Sequence, residues 1–497
     1  MDDTKRTRLS TYVDNNPAPY TLDDITCNDL NLEKIFDKIN HTSSSLGEEL
    51  LYSVLRQPKE NASELDEFEK MVSNFSEDDA LIDRTVSTLK KLSKLKKISV
   101  FDYLFHLNDI KPLKKIARYQ GIILFALAIL VIFFNTVLGT VLAVAVYIYN
   151  TLTYFRLKKD IDGHIVCFKY LGNAVKAGKD LPFIEEDAYK NLAFLSKGNI
   201  WLGNISGYTA NGGSGNPLDM FIDILKMGFW FDIIHFYRLI DKVREHFDEI
   251  KDFLVKVGMI DVYVSVALLR KEEKYCVPKI NFGQREKEDV FSIIEGRHPL
   301  LDYSVPNDIE TKDSILLTGS NASGKSTFLR MVSVNAVLAQ TIHTVFAKHY
   351  SAPFVRVISS MSISDSILEG NSYYMAEVKS IKRIIDLAND SPIAVVCFVD
   401  EVLKGTNTKE RIAASYALLK YLNDKCIVFA ATHDVELTKM LDGIYINKHF
   451  SENFDKDDIS FSYKLLEGPA NTQNAIKLLE INGFPSQITS LANETCK

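Results

Sequence analysis

Apolar residues recur at helical spacing through most of the first 274 positions and gather into short strand-like runs beyond them. Leu46, Leu50, Leu51, Val54 and Leu55 share one face of a 3.6-residue repeat, which predicts an amphipathic helix after Thr42. Longer helical patterns run from Leu65 to about Leu107 and from Met220 to about Arg270. Further on the character changes. Ser314–Thr318, Ala394–Asp400 and Lys425–Ala431 are apolar, β-branched or aromatic runs that each end at a polar loop, the mark of buried parallel strands. The pattern predicts an α + α/β chain: a polar tail over 1–19, a helical domain over 20–274 and a doubly wound α/β domain over 279–497. Gly203–Pro217, rich in Gly, Asn and Ser, reads as a loop between long helices.

One run fits neither pattern. Gly121–Phe155 has no charged residue, and Asn135-Thr136 sits near its middle. A membrane-spanning helix needs about 20 apolar residues, with about 17 tolerated. The run is too long for one upright helix and suits two short ones, so it predicts a transmembrane helical hairpin over 119–155. Lys111, Lys114, Lys115 and Arg118 before it, and Arg156, Lys158 and Lys159 after it, put both ends in the cytoplasm. Two other readings stand beside this one, a helix pair buried in a large soluble core and a single strongly tilted span. The length without charge favours the hairpin.

Composition adds limits. A chain of 497 residues has room for about two to four domains. A net charge of −7 gives no overall attraction to nucleic acid, so any DNA contact needs a local basic face. Lys90–Lys97 offers one, although it reads equally as a surface for anionic lipid or as a solvated helix face. The six cysteines are scattered without CxxC spacing, as reduced cytoplasmic cysteines are. The first ten residues, MDDTKRTRLS, carry no secretory signal.

The candidate chemistry begins at Gly319-Ser320-Asn321-Ala322-Ser323-Gly324-Lys325-Ser326-Thr327, between the strand Ser314–Thr318 and a helix start. In that context G-x-x-x-x-G-K-[ST] is a phosphate-binding loop. Its glycines let backbone N–H groups close around phosphates, and the helix adds its positive N-terminal end. Lys325 reaches the β- and γ-phosphates, and the Ser326 hydroxyl suits Mg²⁺. Ligand groups in such sheets gather at the carboxyl ends of the strands. Asp400 is therefore placed to hold Mg²⁺ through water, and Glu401 to orient or deprotonate the attacking water. By itself an Asp-Glu pair would read as two solvated acids; a phosphate loop and a buried strand change that. His433 ends the third strand, where it can contact the γ-phosphate and report its loss.

Further segments occur in a recognisable order: Glu295–Pro299, Val305–Asp308, the phosphate loop, Glu369–Glu377, the acidic pair and Lys404–Thr408. This order resembles the ATPase domain of MutS-family proteins, ABC-type ATPases in which two nucleotide domains share two composite sites. The resemblance implies ATP and Mg²⁺ as ligands and a homodimer. It implies too that Ser372 contacts the γ-phosphate bound by the other subunit, and that Gly405–Thr408 crosses the dimer interface. Glu467–Gln473, Leu478-Leu479 and Gly483–Pro485 resemble the family's C-terminal dimerisation helices, about 468–497. Tyr20–Leu30 and Asn40–Leu50 resemble the start of its core and lever domain.

There are departures. Ser320-Asn321-Ala322-Ser323 stands where the family usually has Pro-Asn-Met-Gly. Ser304, with Tyr303 beside it, stands where an aromatic residue usually packs on adenine, which leaves Tyr463 to stack on the base. A mismatch-reading domain and an appended nuclease are both expected to be missing. The resemblance implies an ATPase that binds mismatched or branched DNA in repair or recombination, and the hairpin with its basic flanks adds a membrane tether that keeps it on the cytoplasmic face. The alternative is an ATP-driven membrane switch that has lost DNA and acts on a membrane or protein partner. A substrate-translocating transporter comes third, because two short spans are too few for a pathway.

Overall fold

The computed structural model describes residues 3–95, 98–109, 114–196, 224–281, 290–320, 323–361, 373–404, 406–455, 458–470, 479 and 483–495. They form two compact units. One comprises Met1–Asn16, His41–Ser53 and Phe75–Ser265; the other comprises Pro17–Asn40, Val54–Asn74 and Val266–Lys497.

The first unit is helical. The apolar run becomes the helix Gln120–Phe134, of 15 residues, followed by the helix Thr136–Gly178, of 43 residues. Asn135 makes the turn in extended backbone. Its N–H donates to the Val131 carbonyl at 2.8 Å, and its side-chain oxygen accepts from the Leu138 N–H at 3.1 Å, so the asparagine caps both arms. The two arms run antiparallel, since the Asn150 side chain reaches the Gly121 carbonyl at 3.1 Å. One described helical stretch, Thr136–Lys159, is long and apolar enough to cross a membrane; the 15-residue arm falls short of that length. Two spans are therefore corrected to a helical hairpin with one arm of spanning length. Arg118 is also reassigned. It is buried and paired with Asp241 at 2.5 Å, so it binds the hairpin to its own unit and does not present charge to a membrane.

Two buried carboxylates organise the same unit. Asp261 is fully buried and accepts from the Ser43 N–H at 2.9 Å, the Ser44 N–H at 2.8 Å and the Ser44 hydroxyl at 2.6 Å. Those donors precede the helix Ser45–Arg56, so Asp261 holds that helix at its start. A Cβ on Gly47 would stand 2.3 Å from the Asp261 carboxylate, and the glycine is therefore required. Burial pushes Asp261 up to about 6, against those hydrogen bonds. Burial also pushes Glu49 up to about 8, although the Ser99 hydroxyl donates to it at 2.6 Å.

The second unit is α/β. Its main sheet contains β4 (Ile315–Thr318), β6 (Val355–Ser360), β7 (Ala394–Asp400), β8 (Ile427–Ala431), β9 (Ile446–Asp455) and β10 (Asp458–Glu467), in the order β10-β9-β4-β8-β7-β6. All pairings are parallel except β9 with β10. A smaller sheet, in the order β1-β5-β2-β3, is made from β1 (Lys279–Asn281), β2 (Phe291–Gly296), β3 (Asn307–Thr311) and β5 (His349–Pro353). The helix Lys325–Thr341 is buried along nearly its whole length and packs on both sheets, touching β7 and β2. The helices Tyr373–Asp390 and Thr408–Asn423 lie in the core formed by Cys397, Val399, Val428 and Ala430 of the main sheet, through Ile381, Ile384, Leu419 and Leu422. Continuous burial of β4 and β7 is what a parallel strand covered on both faces requires. At the far edge, β6 is met by Tyr20–Asp29. The Tyr20 hydroxyl donates to the Val357 carbonyl, and the Asp29 carboxylate accepts from the Met361 N–H at 2.9 Å and the Ser359 hydroxyl at 2.8 Å.

Candidate functional site

Because β4, β8 and β7 are adjacent and parallel, the segments that follow them emerge on one side of the sheet. A cavity of about 400 Å³ opens there. Its lining includes Ser320, Gly324, Lys325, Ser326 and Thr327 from the loop after β4, Asp400 and Glu401 after β7, and His433 after β8. Asn321 and Ala322, and Ser372 with Gly405, lie outside the described residues. Ser323 is buried, and among the described residues its hydroxyl has no hydrogen-bond partner.

Gly319 must be glycine. Its φ is +142°, and a Cβ would stand 2.8 Å from the Phe450 carbonyl and 2.9 Å from the Ser323 hydroxyl. Gly324, at φ +113°, turns the chain into the helix Lys325–Thr341. The Lys325 ammonium donates to the carbonyls of Gly319 at 2.7 Å and Ser320 at 2.8 Å. Burial lowers its pKa, while Asp400 and Glu401 act in the opposite sense. The Ser326 hydroxyl donates to Asp400. A hydroxyl beside a carboxylate is a hard oxygen pair that suits Mg²⁺, which usually takes one or two carboxylates and keeps several waters. Among the described residues no cluster of three or more His, Cys, Asp or Glu side chains could hold a metal by itself.

Glu401 stands apart from Asp400. Its φ of +61° is a left-handed conformation, strained for glutamate, and its N–H donates to the Ala431 carbonyl at 2.9 Å. The carboxylate lies 3.0 Å from His433 Nε2 and 3.2 Å from Lys404 Nζ. The hydrogen bond from His433 and then the Lys404 charge hold its pKa down to about 2, against burial. A carboxylate held that low orients a water well and accepts its proton poorly until those partners move. The His433 loop is tied down in turn: Arg411, from the helix Thr408–Asn423, makes a two-pronged pair with Asp434 at 2.5 and 3.1 Å.

The other wall comes from parts of the sequence that carried no phosphate motif. Tyr303 is 98 % exposed and Tyr463 half-exposed, and both line the cavity. Tyr463 sits where the register of β9 and β10 shifts, at φ +52°. Asn307 spans that irregularity, donating to the Tyr463 carbonyl at 2.9 Å and accepting from the Leu465 N–H at 2.8 Å. His298, Met331 and Phe450 complete the pocket and were not foreseen as site residues. Burial, with Arg330 nearby, pushes His298 down to about 4, so its imidazole is neutral. A His-Pro pair after a short strand was visible in the sequence, but its reach to a loop 20 residues downstream was not.

The comparisons agree with this geometry. Residues 315–497 match the family model described as MutS domain V. Proteins named DNA mismatch repair protein MutS are similar over the same half. That of Fervidobacterium nodosum is 30% identical over 271 residues, covering 52% of this chain and 32% of its own length. That of Pseudothermotoga lettingae is 33% identical over 259 residues, or 50% and 30%, and one from Clostridium botulinum is 30% identical over 279 residues, or 52% and 29%. The chain thus spans about a third of the length of these curated relatives. A loop that turns on two glycines between strand and helix and an acidic pair closing the strand two places away both fall within the matched segment: residues 315–497 of this chain are similar to MutS domain V.

Proposed function

We propose that this chain binds and hydrolyses ATP with Mg²⁺, as one half of a homodimer joined through its ATPase domains. The observation that carries the reading is the convergence of Lys325, the Ser326–Asp400 pair and the Glu401–His433 pair on one cavity. On ATP binding, Lys325 exchanges the Gly319 and Ser320 carbonyls for β- and γ-phosphate oxygens. Ser326 and Asp400 would hold Mg²⁺, whose charge, when bound, would offset that of the phosphates. Glu401 directs a water at the γ-phosphate, and His433, bonded to Glu401, carries the change at that phosphate back to the strand end. Adenine lies against Tyr463 and Tyr303. Ser372 of the second subunit completes the site, so closure of the dimer depends on the γ-phosphate.

The names of the relatives favour DNA as the object of this cycle, mismatched or branched, in repair or recombination. The exposed apolar faces of the hairpin favour a second reading, an ATP-driven switch at the cytoplasmic face of a membrane that acts on a membrane or protein partner. The test is ATP turnover by the detergent-purified full chain with no DNA, perfect duplex, mismatched duplex and branched DNA, with Glu401→Gln as the blank. Stimulation by one DNA form supports the repair reading. Turnover indifferent to all of them supports the switch, and turnover by Glu401→Gln equal to that of the native chain sinks the catalytic assignment.

A further inference from the structure

We propose that the hairpin Gln120–Tyr154 is a one-sided membrane insert, which enters a bilayer from the cytoplasmic face, reaches about its midplane and does not emerge. This rests on the membrane association proposed above and adds its depth and topology. Three observations carry it.

The first is where the protein stops. Asn150 is fully buried, and its amide donates to the Gly121 carbonyl at 3.1 Å and the Gly228 carbonyl at 2.8 Å. Its own carbonyl accepts from the Trp230 indole at 3.0 Å, and one turn on the Tyr154 hydroxyl donates to Asp232 at 2.6 Å. These bonds clamp both arms at the level of Gly121 and Asn150. Above the clamp, Phe125 still packs on Phe229 with ring centroids 4.9 Å apart, and the Tyr147 hydroxyl donates to the Ile224 carbonyl at 3.4 Å. The arms stand clear of the described residues over Ala126–Phe134 and Thr136–Val146, roughly 14–16 Å at a rise of 1.5 Å per residue. A hydrocarbon core is about 30 Å thick, so its midplane lies about 15 Å deep. The free arms are long enough to reach about the middle and too short to reach the far side.

The second is what the projecting part exposes. Phe133 is 84%, Phe134 86% and Val137 75% exposed, and the exposed apolar surface continues through Leu130, Val141 and Val144. The largest exposures are at the tip, the part a bilayer buries deepest. A core helix would show the reverse, and only 11% of the 18-residue apolar window within Thr136–Lys159 is buried. Polar groups at the tip are exposed yet bonded to nearby backbone: Asn135 caps both arms, and the Thr140 hydroxyl donates to the Thr136 carbonyl at 2.8 Å. Hydrocarbon requires this, because it offers no partner to a polar group.

The third is charge. No ionised residue lies on the arms, whereas Lys114, Arg156 and Lys159 are exposed at the base. Cations at one end of an uncharged wedge match a surface of anionic headgroups on the entry side. A second copy of the chain, offering the same uncharged wedge and the same basic base, has no such complement.

The test uses the full chain, sealed phosphatidylcholine vesicles with and without phosphatidylserine, and a single added thiol, Phe134→Cys. The native chain is expected to float with vesicles, at least several-fold more with phosphatidylserine. Phe133→Asp combined with Phe134→Asp, both at an exposed tip, is expected to lower flotation tenfold or more with ATP turnover unchanged. While bound, Cys at position 134 is expected to resist a membrane-impermeant maleimide supplied outside or enclosed within the vesicles, and to react in detergent. Labelling by the enclosed reagent means the hairpin crosses, and labelling from outside means it lies on the surface; either overturns one-sided insertion while leaving membrane association intact. Failure of the native chain to float overturns both, and if the tip variant then splits a larger assembly, the wedge is covered by a second copy.

Discussion

Replacing Lys325 with methionine keeps the buried stem and removes the charge. In the free protein the ammonium is nearly buried and donates two hydrogen bonds to loop carbonyls, so it is already satisfied before any phosphate arrives. Those bonds already have an ionised donor, so exchanging neutral acceptors for phosphate oxygens adds charge–charge attraction, roughly 1 kcal/mol for each of two contacts near water and so about 2 kcal/mol. That corresponds to about a 30-fold weaker affinity for Lys325→Met. The loss is expected for ATP and ADP, which carry the β-phosphate, and not for AMP. Titration with a fluorescent analogue of each nucleotide measures it, and thermal melting confirms that the variant folds. Equal weakening for AMP would mean that Lys325 acts on the shape of the loop, and unchanged ATP affinity would remove it from phosphate binding.

Lys404→Ala removes a cation that helps hold Glu401 low, so Glu401 protonates at higher pH and the acid limb of the turnover profile is expected to move upward; an unmoved limb would discount that pair. Asp261→Ala orphans the N–H groups of Ser43 and Ser44, at about 1–3 kcal/mol each before relief of the buried charge, and urea unfolding should show a net loss of a few kcal/mol. Glu49 has a folded pKa raised to about 8, so the native state binds the extra proton between the ordinary carboxylate range and pH 8, and stability falls as pH rises through that window. Glu49→Gln should flatten this slope and raise the melting temperature at pH 8 relative to the native chain; a parallel curve would show that other groups set it.

What could be read from the sequence followed burial. β4, β7 and β8 are apolar runs because both faces of each are covered, and a phosphate loop needs fixed spacing, so the residues alone place Asp400, Glu401 and His433 at strand ends and Lys325 at a helix start. The opposite wall could not. Phe450 reaches the loop because β9 pairs with β4 across about 130 positions of sequence, and Tyr463 is aimed by a register shift that Asn307 bridges from β3. The hairpin was misjudged for a related reason. Asn150 lies in an uncharged run and counts as membrane by composition, whereas its amide ends the projecting arm by binding two carbonyls. Hydropathy counts side chains and is blind to the backbone groups that those side chains satisfy.

The cover on β6 bears on how this protein can be divided. A fragment starting at Lys279 would contain every strand of both sheets yet lack Tyr20–Asp29. The Val357 carbonyl and the Met361 N–H would then face solvent along an edge strand whose residues are all buried in the complete chain. Such an edge invites strand-to-strand aggregation. The smallest soluble fragment of the α/β unit therefore includes Pro17–Asn40, joined through a linker to the C-terminal half, and deletions near the N-terminus should register as losses of solubility in a unit whose strands begin more than two hundred residues later.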